Sequence, residues 1–276
     1  MPLVPVNGTR LWVEDTGDPP AGAPPSGGGA PVVFSHGLLW STRLFDPQVA
    51  ALRDRYRCVA YDHRGQGRSD VPPGRAPVTI EACYADAVAL LERLALGPVH
   101  FVGLSMGGFV GMRLAARRPD LVRSLALLET SADPEPEANR PRYRLLARVV
   151  RWLGPRPVAG RVMPIMFGRT FLADPARAAE RDAWRAHLLG NRRAIWRATL
   201  GVVDRAGVAD ELPRITAPTL VVVGDEDAAT VPAKAERIAA LIPGARLAVV
   251  CGAGHSSSVE QPAEVSVLLG AFLDAA

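Results

Sequence analysis

Short unbroken apolar runs alternate along much of this chain with stretches whose apolar residues recur at helical spacing. The runs at 31–35, 57–61, 99–104, 121–128, 218–223 and 246–250 predict strands, that at 31–35 a buried one. The intervening patterns predict helices over 44–53, 80–96, 109–117, 232–241 and 259–273. Two shorter runs, 3–6 and 9–15, flank Asn7-Gly8 and predict a hairpin. The stretch 18–30, rich in Pro and Gly, predicts a surface loop and no linker, because too little chain precedes it to fold alone. Strands alternating with helices imply a mainly parallel sheet covered on both faces.

The alternation stops near Asp133. From there to about Pro213 the pattern is helical, with no convincing strand, and seven prolines cut it into short pieces. The expected organisation is a core of residues 1–132 and 214–276 with an inserted helical cap, 133–213, over the sheet edge where such folds bind ligands.

Composition narrows the class. The chain has 276 residues, 48% of them hydrophobic and 22% charged, enough for a sizeable core. Cys58, Cys83 and Cys251 are too few and too scattered for a disulfide framework or a zinc site, so no metal or cofactor is expected. The first residues show no basic segment followed by an apolar run, and no run is long enough to span a bilayer. A cytoplasmic protein without membrane partners is expected, and a homo-oligomer is left open. The net charge is +4, and Lys234 is the only lysine among 32 basic residues. The arginines are dispersed among acids and form no basic stripe, so no nucleic-acid partner is expected.

The chemistry concentrates at Gly103-Leu104-Ser105-Met106-Gly107, between a strand and a helix. A serine on so tight a turn is held in a strained backbone with its hydroxyl lifted clear of the sheet. Met106 opens the helix, so its N–H has no partner within it and faces any negative charge forming nearby. A second candidate donor is the Leu38 N–H in His36-Gly37-Leu38-Leu39-Trp40, just after the strand 31–35. His36 itself is read as a brace for this loop. The loop from Asp62 to Asp70 carries charges and glycines that could suggest a metal or phosphate site; the glycines are read as turn residues and Asp62 with Arg64 as a local brace.

A serine hydroxyl needs a base, and the base needs an acid. Asp227, after the strand 218–223, and His255, after the strand 246–250, complete the order Ser105, Asp227, His255, each in a loop at the end of a strand. Asp225 and Glu226 are neighbouring candidates for the acid, and Glu129, after the preceding strand, is an alternative. His63, His100 and His187 are less well placed for the base.

These motifs, with Asp62-His63-Arg64-Gly65-Gln66-Gly67-Arg68-Ser69 and Gly252-Ala253-Gly254-His255, resemble the α/β-hydrolase fold family with a helical cap over essentially the whole chain. The resemblance is nearest to small esterases, enol-lactonases and cofactor-free haloperoxidase-like perhydrolases. It implies Ser105 as nucleophile, His255 as base, Asp227 as acid, and the Leu38 and Met106 N–H groups as the oxyanion hole. It implies hydrolysis of a small, largely apolar ester or lactone through an acyl-enzyme. A triad-bearing receptor with slow turnover, an acyltransferase or perhydrolase, and a carbon–carbon bond hydrolase remain alternatives. Serine at the elbow argues against dehalogenase and epoxide hydrolase relatives, which use aspartate there. Trp40, Phe167 and Trp184 are candidate substrate-binding residues that could equally hold the cap to the core. Arg144, Arg148 and Arg151 share one helix face, read as solvated rather than as a trap for an acidic substrate.

Overall fold

The computed structural model describes residues 3–20 and 29–276, so 21–28 of the predicted loop lie outside the described residues. Among the described residues, eight strands form one sheet: β1 (Leu3–Val6), β2 (Thr9–Asp15), β3 (Val32–Ser35), β4 (Cys58–Tyr61), β5 (Val99–Leu104), β6 (Val122–Leu128), β7 (Thr219–Gly224) and β8 (Arg246–Val250). Their order is β1-β2-β4-β3-β5-β6-β7-β8. The β1–β2 hairpin and the β2–β4 pair are antiparallel, and all other pairs are parallel. Every residue of β3, β4, β5 and β7 is buried, as the unbroken apolar runs require when helices cover both faces.

The helices are α1 (Asp46–Leu52), α2 (Ile80–Arg93), α3 (Met106–Arg117), α4 (Arg140–Leu153), α5 (Ala159–Met166), α6 (Arg169–Ala173), α7 (Ala178–Gly190), α8 (Trp196–Val203), α9 (Pro232–Leu241), α10 (Ser257–Glu260) and α11 (Pro262–Asp274). Helix α3 packs on β5, β6 and α2, while α1 packs on α11. Between β6 and β7 the chain holds only α4 to α8 and short 3-10 turns, and α4 lies against α8.

The structure differs from the sequence expectation mainly at helix ends. The helix expected over 44–53 starts as a 3-10 turn at Thr42–Phe45, and α1 begins beside Pro47. The helix expected over 259–273 is two, because Pro262 lacks an N–H and pushes Gln261 out of the helical region to φ −130°, ψ 60°. Helix α3 starts at Met106, directly after the serine, as the tight strand-to-helix turn requires.

Strand register sets the location of the chemistry. Ser35 pairs with Gly103, Leu104 with Leu128, Leu128 with Val222, and Gly224 with Val250. The parallel strands therefore end in line, and the segments following β3, β5, β6, β7 and β8 emerge along one edge.

Candidate active site

Ser105 sits at φ +51°, ψ −108°, a conformation costly for any side chain bearing a Cβ. Its N–H donates to Leu128 O (2.8 Å), and its carbonyl accepts from the Thr130 hydroxyl (2.9 Å) and the Phe109 N–H (3.0 Å). These bonds hold the strained turn. Space explains the flanking glycines. A Cβ on Gly107 would lie 1.9 Å from Ser35 O, and one on Gly103 would lie 2.4 Å from Gly107 O.

The three sequence candidates converge. Ser105 Oγ lies 2.8 Å from His255 Nε2, and His255 Nδ1 lies 2.9 Å from Asp227 Oδ2. All three are buried. Burial alone would raise the Asp227 pKa, but the charge of His255 and hydrogen bonds from His255 and Thr230 hold it below the usual carboxylate value. Asp227 also accepts from the backbone N–H groups of Ala229 (2.8 Å) and Thr230 (2.9 Å) and from the Thr230 hydroxyl (2.6 Å). Sequence reasoning overlooked Thr230; a hydroxyl residue three positions after an aspartate is the one signal that could have found it.

The rival acids have other tasks. Asp225 accepts from Gly252 N at 2.7 Å, and Glu226 binds Thr170 and Arg169. Glu129, directly after β6, is fully buried, and burial, with the charges of Asp227 and Glu260 nearby, raises its pKa well above the ordinary carboxylate value. His255 bonds Asp227, so Glu129 stands as a buried acid beside the cluster. Glu260 binds Gly168 N through Oε2 (2.7 Å) and Ser256 N through Oε1 (3.0 Å), joining the start of α6 to the residue after His255.

The other histidines are engaged elsewhere. His36 Nε2 accepts from the His63 N–H at 3.0 Å, and His63 Nε2 lies 3.1 Å from Ser35 Oγ. Burial lowers the pKa of both. His100 Nδ1 lies 2.7 Å from Ser124 Oγ, and burial lowers His187 to about 4. Asp62 braces its loop as expected, but through the N–H groups of Thr42 and Arg68 (2.7 Å each); Arg64 instead pairs with Asp86. Gln66, unremarked in the sequence, accepts from Leu39 N at 2.9 Å and points its amide at Met106 Sδ, so it bridges the two segments carrying the candidate oxyanion donors.

Ser105 and His255 border a cavity of about 130 Å³. Leu38 and Leu39 line it from the loop after β3, and Leu146, Val150, Val162 and Met166 from the helices between β6 and β7. Glu135 and Arg205 are the charged residues of its wall, paired at 3.1 Å, with the guanidinium 4.3 Å from the Phe109 ring centre. Among the described residues, Arg205 Nε and Nη2 meet no hydrogen-bond partner.

Trp40, Phe167 and Trp184 do not line the cavity. They pack on one another, with ring centres 5.6 Å apart for Trp40–Phe167 and 5.1 Å for Trp40–Trp184. This aromatic cluster joins the loop after β3 to α7 and the end of α5, where burial of the rings holds the two layers together. Arg144 pairs with Asp204 at 2.7 Å, and Arg151 stacks on Trp152 and Trp196. Among the described residues, no His, Cys, Asp and Glu side chains gather in a group able to hold a metal ion.

Residues 32–267 match the alpha/beta hydrolase family, and the chain belongs to it. A relative from Variovorax paradoxus named for carbamate hydrolysis is 32% identical over 254 residues, covering 89% of this chain and 92% of that protein. A 3-oxoadipate enol-lactonase of Acinetobacter baylyi is 31% identical over 233 residues, with 84% of each chain covered. A thermophilic esterase of Thermogutta terrifontis superposes with a TM-score of 0.86 at 31% identity, over 99% of this chain and 96% of that one. The chain is a hydrolase of this fold.

Proposed function

We propose that this hydrolase cleaves the carboxylic ester or lactone bond of a small, largely apolar substrate by acyl transfer through Ser105. The observation that carries the reading is the hydrogen-bonded line Ser105–His255–Asp227 opening on an apolar cavity. His255 takes the Ser105 proton as Oγ attacks the carbonyl carbon. Asp227, anionic and held by Thr230, fixes the imidazole so that Nε2 faces the serine and stabilises the cation that forms. The tetrahedral oxyanion is received by the Leu38 and Met106 N–H groups. His255 returns the proton to the leaving alcohol oxygen, and water then cleaves the acyl-enzyme by the same route.

Residues 133–213 act in this reading as a cap over a core of 1–132 and 214–276. Leu146, Val150, Val162 and Met166 favour a hydrocarbon group on the acyl or alcohol side. The test is a p-nitrophenyl ester series from acetate to octanoate. Wild type should turn it over with a chain-length optimum, and Ser105→Ala should remove turnover without loss of folding. Retained activity in that variant, or a folded wild type inert towards esters and lactones alike, would overturn the assignment.

A further inference from the structure

Helix α4 has two apolar faces. Its inner face, Tyr143, Leu146, Ala147 and Val150, lines the cavity beside Ser105 and His255. Its outer face carries Leu145, Trp152 and Leu153, which are 52%, 64% and 65% exposed, with half-buried Val149 between them. The spacing i, i+4, i+7 and i+8 sets these four on one stripe. A large exposed indole beside two exposed leucines on one helix face marks an interaction site.

Along this part of the chain the charge has one sign, and Asp204, from beyond α8, is the carboxylate that meets α4. Residues 138–173 contain eight arginines and no acidic residue, although the whole chain has 28 acids. Arg142 and Arg148 are exposed beside the stripe. Of the α4 arginines only Arg144 reaches a carboxylate among the described residues. A second copy of the chain would bring two such basic faces together and is disfavoured. A flat anionic surface that accepts aliphatic and indole side chains satisfies both features: arginine pairs with phosphate, and tryptophan settles at headgroup depth.

We propose that the outer face of α4 docks on an anionic lipid bilayer, with Leu145, Trp152 and Leu153 entering the headgroup layer and Arg142 and Arg148 binding lipid phosphates. The helix would lie on the membrane, not cross it; among the described residues no helix is long and apolar enough to span one. The docked surface and the cavity would then be separated by one helix diameter, about 10 Å. Substrate dissolved in the bilayer would be delivered beside the site.

The experiment is flotation of the full chain with phosphatidylcholine vesicles, with and without phosphatidylglycerol, at low and high salt. Wild type should float with the anionic vesicles, stay behind with the neutral ones, and be released by salt. Arg142→Gln/Arg148→Gln should lower partitioning by about twenty-five-fold, from roughly fivefold per charge. Trp152→Ser/Leu153→Ser should lower it by about tenfold or more. All these side chains are exposed, so melting temperatures should match wild type. Failure of wild type to float with anionic vesicles at low salt overturns the proposal. So does equal binding to neutral vesicles, or undiminished binding by both variants. None of these outcomes depends on whether Ser105 is the nucleophile.

Discussion

The sheet edge and the helices above it solve different problems. At the edge, position is fixed by backbone: strained Ser105 is held through Leu128, Thr130 and Phe109, and Asp227 is held through Ala229 and Thr230. Above it, α4 to α8 offer an apolar wall held by side-chain packing, in which the Trp40–Phe167–Trp184 cluster is the joint. Hydrogen bonds impose direction, and packing imposes only volume. Changes at the edge should therefore alter rate, and changes above it should alter selectivity and stability.

The largest expected effect lies at the edge. Asp227→Asn should lower kcat on the order of a thousandfold or more while leaving the melting temperature close to wild type, because the asparagine cannot hold His255 in the required tautomer. Comparable kcat in the variant, measured on the best p-nitrophenyl ester, would break the division of labour. Above the edge, Trp184→Ala should cost about 3–5 kcal/mol of stability in denaturant melts, as expected for an aromatic removed from a packed cluster. Its ester chain-length optimum should stay in place, since the ring does not border the cavity.

Leu146→Phe should narrow the cavity. The expected result is about a tenfold fall in kcat/KM for octanoate relative to acetate, with acetate turnover little changed. The smallest effect is at Glu129. Burial raises its carboxyl pKa, so the folded chain keeps a proton that the unfolded chain has already released. Stability should then fall as pH rises from the ordinary carboxylate range towards the raised folded value. Glu129→Gln should flatten that slope, read as melting temperature against pH, and should leave the protein more stable than wild type on the alkaline side.

The edge was legible in the sequence because backbone constraint leaves residue-type signatures. Gly103 and Gly107 are required by contacts no Cβ could survive, and Ser105, Asp227 and His255 each follow a strand. The cavity wall was not legible. Trp40 and Val150 are both apolar and buried, and periodicity separates buried from exposed positions but not one buried surface from another. Side chains that act through a partner distant in sequence escaped too. Gln66 works by reaching Leu39 and Met106, and Arg205 by meeting Glu135, 70 positions away. The break before Pro262 was there to be read, and the apolar pattern running through it hid it.

The Glu260 carboxylate grips Gly168 with one oxygen and Ser256 with the other. For anyone grafting a different lid onto this scaffold, that grip sets the cutting points. A transplanted segment that displaces Gly168 pulls on the residue next to His255, so a change intended for substrate choice would also appear in turnover. A cassette that keeps Gly168 and leaves Glu260 in the recipient preserves the alignment of His255, and the lid and the chemistry can then be varied independently.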